Sequence, residues 1–344
     1  MKKTYRPKPY VVLSYEALFR NLKEEYRENR QLNQDFANYL SGFLGEQQVD
    51  YKLRIMPLRN LNHIQGLRLK VNHNFFQVDS IILSTRFMLL IEIKNWKGDI
   101  IYQPTSDSFT QIYRGNEKRY ENPISQIQYH EIQMSQWLQQ FAKIYNLPIE
   151  TLVVLSDSNT NLQGIDSNPN ISNKLIYVEN ILTKIEQLKM KYSKNVLNQR
   201  TLEDLQYTLM MSNQPLHLNL IQKYNLNKSH FVEGIPCNHC GHYPLRRTYK
   251  SWYCEKCLSK DNKAHVRKIL DYFLLTKLTI SNKECRDFLQ LSNEKTAYTL
   301  LNSLDLKKTG KNKGRIYHAP TLEDFPQNSY VPNRKREKIE RIVY

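Results

Sequence analysis

Three charged residues interrupt two apolar runs. Asp79 lies within Phe75-Phe76-Gln77-Val78-Asp79-Ser80-Ile81-Ile82-Leu83, and Glu92 and Lys94 lie within Phe87-Met88-Leu89-Leu90-Ile91-Glu92-Ile93-Lys94-Asn95. Both runs read as buried strands because Ile, Leu, Val and Phe dominate them. Side chains alternate along a strand, so Glu92 and Lys94 share a face. Ionised groups inside an apolar sheet cost several kcal/mol unless they are paired or hold a metal. Carboxylate oxygens from Asp79 and Glu92 suit Mg2+ or Mn2+, with the Ile93 carbonyl as a further ligand. Lys94 could position an attacking water or neutralise charge developing on a phosphoryl group. The chemistry such a set serves is phosphodiester hydrolysis. The pattern D-x(n)-E-x-K is short, however, and an ordinary structural Asp–Lys or Glu–Lys pair uses the same residues.

A second constellation is more specific. Cys237-Asn238-His239-Cys240 and Cys254-Glu255-Lys256-Cys257 are two Cys-x-x-Cys pairs with 13 residues between them. Four thiolates at this spacing read as a tetrahedral zinc site, with His239 and His242 as bystanders. The segment between the pairs, with Arg246, Arg247, Tyr249, Lys250, Trp252 and Tyr253, could grip phosphates and stack on bases. A small zinc fold needs similar side chains for its own core. Cys285 reads as a buried apolar residue.

The elements that must position these groups follow from periodicity. Residues 14–50 read as helix in two pieces, closing at Gly45-Glu46-Gln47-Gln48-Val49. On spacing alone Glu46 is an exposed surface carboxylate. Residues 51–74 read as a strand, a turn and irregular chain. Trp96–Tyr102 reads as a continuation of the second run, with a bend at Gly98. Residues 109–120 read as a hairpin turning at Gly115-Asn116. Asn122-Pro123 opens a helix that carries Gln126, Tyr129 and His130 within about one turn. Thr151–Ser156 and Lys174–Val178 read as strands, and Ile181–Leu188 and Thr201–Met211 as helices. Residues 14–212 therefore read as one mixed α/β domain. A polar linker at 213–234 and the four-cysteine unit at 235–260 come next.

Residues 261–320 form a further unit. A helix from Asn262 to Leu275 precedes Ser281–Leu289, whose Ser281 and Glu284 make a capping box, and a helix starts again at Ser292-Asn293. Two short helices across a tight turn, followed by a hairpin carrying Lys307, Lys308, Lys311, Lys313 and Arg315, resemble a winged helix-turn-helix. Lys295 sits at the start of the helix that would enter a groove. A helical protein-interaction module with a solvated charge run remains the alternative. Residues 321–344, with Arg334-Lys335-Arg336-Glu337-Lys338, read as a flexible basic tail.

Charge points to a polyanionic partner. Lys and Arg outnumber Asp and Glu by 50 to 33, giving +17. From Phe231 onward 22 basic residues face 12 acidic ones, so +10 of the excess lies in the last third. Charge alone does not separate nucleic acid from an anionic membrane surface. No apolar run approaches the ~20 residues that span a bilayer, and the basic start Met1–Pro9 lacks the apolar stretch of a signal peptide. A cytoplasmic protein is expected, with paired cysteines holding metal rather than forming disulfides.

Gly45-Glu46, Val78-Asp79-Ser80-Ile81-Ile82, Leu89–Gly98 and Asn122-Pro123-Ile124-Ser125-Gln126 resemble the nuclease-related domain called NERD, over roughly residues 30–160. That family belongs to the restriction-endonuclease-like PD-(D/E)xK superfamily. The resemblance implies a mixed sheet flanked by helices and a metal-dependent nuclease site. It assigns Asp79, Glu92 and Lys94 to the catalytic signature, Glu46 to the helix glutamate completing the metal site, and Gln126 to the glutamine of the following helix. Related RecB-type nucleases often carry Gln-x-x-x-Tyr there; this chain has His130 at that place, with Tyr129 one before it. The family's usual Asp-His is Asp79-Ser80 here. The expectation is a Mg2+- or Mn2+-dependent nuclease acting on nucleic acid, above all DNA, and targeted by a zinc ribbon and a winged helix. A homo-oligomer is compatible with it; a membrane partner is not expected. The rivals are a non-catalytic DNA-binding or regulatory protein on the same scaffold and an adaptor that binds proteins.

Overall fold

A computed structural model describes residues 5–55, 60–328 and Val331. Three helices open it: α1 (Tyr10–Asn21), α2 (Glu24–Arg27) and α3 (Arg30–Ile55). Six strands follow: β1 (Asn62–Val71), β2 (Asn74–Leu83), β3 (Met88–Lys94), β4 (Asp99–Gln103), β5 (Ser108–Tyr113) and β6 (Asn116–Glu121). Helices and strands then alternate through α4 (Pro123–Trp137), β7 (Ile149–Leu155), β8 (Asn161–Gln163), α5 (Pro169–Ser172), β9 (Leu175–Tyr177), α6 (Ile181–Lys191) and α7 (Gln199–Met211). After α8 (Leu220–Lys223) come β10 (Arg246–Thr248), β11 (Ser251–Tyr253) and β12 (Lys260–Asp261). The last part holds α9 (Ala264–Leu275), β13 (Thr279–Ser281), α10 (Asn282–Leu289), α11 (Glu294–Asn302), β14 (Lys308–Thr309) and β15 (Ile316–His318). The chain divides into two compact units. One is built on Leu40–Leu216 with the N-terminal residues up to Arg6, the other on Pro7–Tyr39 with the chain from His217 on.

The first unit is a mixed α/β structure around a five-stranded sheet in the order β1-β2-β3-β7-β9. β1, β2 and β3 are antiparallel neighbours, whereas β3, β7 and β9 run parallel. Met88 to Ile93 of β3 are all buried, as expected of a strand covered on both faces. One face packs on Ile124, Ile127 and Met134 of α4 and Leu202, Leu205 and Leu209 of α7. The other packs on Val49 and Leu53 of α3 and Ile181, Ile185 and Leu188 of α6. A second sheet, β6-β5-β4-β8, adds Ile100, Tyr102 and Phe109 to the first of these cores.

Strand alternation fails at one place. Ile64, Leu67, Leu69 and Val71 of β1 and Phe76, Val78, Ile81 and Leu83 of β2 enter the same core. The spacing of two becomes three across Gly66 and across Asp79-Ser80. Gly66 stands between the pairs Gln65↔Ser80 and Leu67↔Val78, opposite Asp79, at φ +56°. Glycine reaches that conformation at little steric cost. Asp79 therefore sits at a local kink rather than in a regular ladder.

The second unit buries α1 almost entirely, every residue from Val11 to Asn21. Arg20 forks onto Asp271 of α9 (2.6 and 3.1 Å), Asn21 Nδ2 donates to the same carboxylate (2.8 Å), and Lys268 Nζ donates to Asn21 Oδ1 (2.6 Å). These pairings satisfy the buried charges. Two three-stranded antiparallel sheets, β10-β11-β12 and β13-β15-β14, complete the unit. Cys237, Trp252 and Cys254 share one core with Ile269, Phe273, Leu289 and Leu301.

Several local expectations change. Helix α3 does not close at Gly45–Val49 but continues to Ile55, so residues 51–55 are helix and the first strand begins at Asn62. The helix before it starts at Tyr10 rather than 14, and α2 makes three pieces of the expected two. Trp96–Tyr102 is no continuation of β3: Gly98, at φ +76°, turns the chain into the second sheet. The hairpin turns at Arg114-Gly115, both at positive φ, with Tyr113 facing Asn116. The connection after residue 213 contains α8 and a 3-10 turn, Lys228–His230. Phe325 is buried against Tyr10 (5.9 Å), so the start of the expected tail is packed. The run Arg334–Lys338 lies outside the described residues. Among the described residues no helix is long and apolar enough to cross a membrane.

Candidate functional site

β2 and β3 pair only from Ser80↔Ile91 to Leu83↔Met88. Beyond that the two strands part, while β3 stays paired to β7 up to Lys94↔Leu155. The Ile93 N–H at this fork donates to Asp79 Oδ2 (2.9 Å). Burial, then the Glu92 charge, pushes the Asp79 carboxyl up to about 7. Glu92 follows Met88 and Leu90 on the face toward α4 and is buried; burial raises its pKa and the Lys94 charge opposes this. Lys94 Nζ donates to Glu92 Oε1 (2.7 Å) and to Gln126 Oε1 (3.0 Å). Gln126 reaches it because Pro123 and the Asn122 cap, which accepts the Ile124 N–H at 2.9 Å, start α4 beside the end of β3.

Glu46 belongs to the same site and is not an exposed surface carboxylate. Its side chain is 20% exposed, and Oε2 accepts from Arg6 Nη1 at 2.5 Å. Burial pushes its carboxyl up to about 8, Arg6 opposes this, and the charges of Asp79 and Asp50 add to it. Close approach of α3 to the sheet places it there. A Cβ on Gly45 would meet Ser156 Oγ at 2.8 Å, and Asn95 Nδ2 donates to Ser41 O of α3 (2.8 Å). Arg6 forks onto Asp50 (Nε–Oδ2 2.7 Å, Nη2–Oδ1 3.0 Å) and donates to the Asp79 carbonyl (2.8 Å). Gln65 Nε2 donates to Asp50 Oδ2 (2.9 Å), and His63 Nε2 lies 2.6 Å from Ser80 Oγ.

Sequence reasoning missed Arg6, Asp50 and His63. Nothing in their spacing signals a site, because they come from three separate segments. Gly66 did carry a signal: an isolated glycine within a strand marks a bulge or a close backbone approach.

A cleft of about 680 Å3 opens beside Gln126, walled by Ser108, Arg119, Glu121, Tyr129 and His130. The Tyr129 side chain is largely exposed, whereas His130 lies against Phe76 with its Nδ1 buried and without a hydrogen-bond partner.

The four cysteines converge. Their sulfurs lie within 4.8 Å of one another, with Cys237–Cys257 and Cys240–Cys254 separations of 3.6 Å. Tetrahedral zinc with Zn–S bonds of ~2.3 Å requires S···S edges of ~3.8 Å, so the cluster fits that ion. The two knuckles repeat one geometry. Gly241 N donates to Cys237 O and Leu258 N to Cys254 O (both 2.9 Å), and Gly241 and Leu258 both take positive φ. His239 and His242 are not part of the cluster.

The predicted nucleic-acid contacts divide. Lys295, Lys307, Lys308, Lys311 and Lys313 are exposed. Arg315 lies along Tyr298, donating to its hydroxyl (3.2 Å). Arg246 pairs with Glu255 (2.9 Å) on the surface. Arg247 packs over Trp252, whose indole N–H donates to His265 Nδ1 (3.2 Å). Arg247 and Trp252 thus serve the core of the cysteine unit.

Among the described residues the four thiols are the group gathered closely enough to hold an ion as they stand. The carboxylates fit a hard divalent cation by their chemistry. Burial raises the pKa of Glu46, Asp79 and Glu92, and each feels the charge of another of the three. A cation would relieve that repulsion.

No curated protein and no solved structure matches the chain. Residues 41–156, which include Glu46, Asp79, Glu92, Lys94 and Gln126 but neither Arg6 nor the four cysteines, match the family model NERD, the nuclease-related domain.

Proposed function

We propose that this chain is a metal-dependent nuclease of the PD-(D/E)xK type that hydrolyses phosphodiester bonds of DNA. One observation carries the reading: at the fork where β2 and β3 part, Lys94 bridges Glu92 and Gln126, Asp79 accepts the N–H of Ile93 between Glu92 and Lys94, and Arg6 joins Glu46 to the Asp79 backbone, with all five candidate residues inside the matched nuclease-related region. Asp79 and Glu92, with the Ile93 carbonyl, would hold Mg2+ or Mn2+, and Glu46 would complete the set. Such an ion, when bound, polarises a phosphoryl oxygen and lowers the pKa of a bound water. Lys94 holds a positive charge beside the scissile phosphate and orients the attacking water. Gln126 keeps the Lys94 ammonium aimed.

The second unit supplies binding. Its cysteine cluster is compatible with structural zinc and reads as a zinc ribbon. The order α9-β13-α10-α11-β14-β15, with β13 and β14 flanking β15, supports the reading of a winged helix. α11 would enter a groove and the lysines of the hairpin would meet phosphates. Cleavage of a panel of single- and double-stranded DNA and RNA with Mg2+ or Mn2+ tests the reading. Wild type should cut, and Glu92→Ala and Lys94→Ala should lose cutting while keeping nucleic-acid affinity. No cleavage of any substrate, or undiminished cleavage by both variants, would refute it.

A further inference from the structure

We infer that Arg6, outside the family-matched region, is a positioning residue of the metal site, presenting the Glu46 carboxylate to the cation; this rests on the nuclease reading above. Arg6 makes four hydrogen bonds to three partners: two to Asp50, one to the Asp79 carbonyl and one to Glu46. Its side chain is 5% exposed, so it reaches neither solvent nor substrate. The fork on Asp50 fixes the plane of the guanidinium. The remaining Nη1 then holds Glu46 Oε2 and leaves the direction of Oε1 set.

The backbone is shaped around this group. Gly66 lies opposite Asp79, and a Cβ there would stand 3.4 Å from Arg6 Nη1. At the same kink the Asp79 carbonyl takes an arginine N–H. Beyond Asp50, Arg6 therefore touches two of the three residues whose carboxylates would hold the cation, Glu46 by its side chain and Asp79 by its backbone. Lysine could not reproduce this, because a single ammonium cannot form the fork and reach Glu46 and Asp79 together.

The competing role is a pin for the N-terminal segment, and metal affinity separates the two. Removing a guanidinium beside a cation site would by itself tighten cation binding. A loss of affinity therefore isolates orientation. The test uses the full, zinc-loaded chain as wild type, Arg6→Lys, Arg6→Gln and Arg6→Gln/Asp50→Asn. The double variant leaves no unpaired buried charge from the Arg6–Asp50 pair, and circular dichroism checks folding. Free Mn2+ is read by electron paramagnetic resonance, with Asp79→Ala as the background. The folded Arg6 variants should bind Mn2+ ~10–100-fold more weakly than wild type, as for lost partners of metal ligands. The Mn2+ concentration for half-maximal cleavage of a fluorescent oligonucleotide should rise in step, with KM for the oligonucleotide unchanged. Folded variants with wild-type or tighter Mn2+ affinity would overturn the role of Arg6 and leave the nuclease reading standing. A wild type that binds no Mn2+ above the Asp79→Ala background would overturn that reading and this inference together.

Discussion

Gly45 of α3 and Asn95 at the end of β3 approach so closely that a Cβ on Gly45 would stand 2.7 Å from the Asn95 Cβ. The contact sets how near α3 lies to the sheet and so where the adjacent Glu46 projects. Gly45→Ala must push the helix away or distort Asn95. Overpacking of this kind costs ~1–3 kcal/mol. The variant should unfold at lower temperature and lose Mn2+ affinity, both measurable on one preparation. Gly42, whose Cβ would meet nothing within 4 Å, is the control: Gly42→Ala in mid-helix should hold or gain stability.

Metal-free stability should fall as pH rises. The folded state holds the Asp79 proton up to about 7 and the Glu46 proton up to about 8, while unfolded carboxylates release theirs near ~4. The folded form binds more protons, so these groups stabilise fully below ~4 and the contribution is lost as pH climbs through about 7 and 8. His63 works the other way. Burial pushes its pKa down to about 4, so its contribution is present above ~6.5 and lost toward 4. Thermal unfolding in chelator should show stability descending from ~4 to about 8, a limb whose part below about 7 Asp79→Asn flattens. An unchanged limb in that variant would show that another group titrates.

Chelating zinc should loosen the second unit and spare the first. Cys237 and Cys254 share a core with Trp252, Ile269 and Phe273. Loss of the ion leaves four thiols to repack and releases that corner. Amide hydrogen exchange should speed up at Trp252 and Tyr253 and stay slow along β3. Cys240→Ala should reproduce the change without chelator.

Nucleic-acid affinity should depend on salt through the hairpin lysines. Lys307, Lys308, Lys311 and Lys313 are exposed. If each meets a phosphate, replacing one by alanine should reduce the slope of log K against log salt by ~1 and weaken all sequences alike. Arg246→Ala should have a smaller effect, because Glu255 already holds that guanidinium.

Much was legible in the residue string, for physical reasons. The runs around Asp79 and Glu92 are strands because apolar β-formers sit there, and a strand buried on both faces needs no partner to be recognised. The capping box at Ser281 and Glu284 depends on a spacing of three and forms as written. The cysteine pairs converge because Cys-x-x-Cys places two sulfurs within one turn of chain. Boundaries were less legible: nothing local stops α3 at Gly45–Val49, since glycine within a helix costs only ~1 kcal/mol and here allows close packing on Asn95 and Ser156.

The sequence by itself determined which carboxylates lie in strands, that Glu92 and Lys94 share a face, and that four thiols form one group, because each depends on neighbours within a few residues or on a repeated motif. Only the tertiary structure decided that Asp79 sits at a kink opposite Gly66, that Glu46 turns inward, and that Arg6 bridges Glu46, Asp50 and the Asp79 backbone. The Arg6 contacts join residues 40 to 73 positions apart, and Gly66 meets Asp79 across a strand turn. Contacts of that range are set by how the helix, the sheet and the N-terminal segment pack together, and no local pattern encodes them.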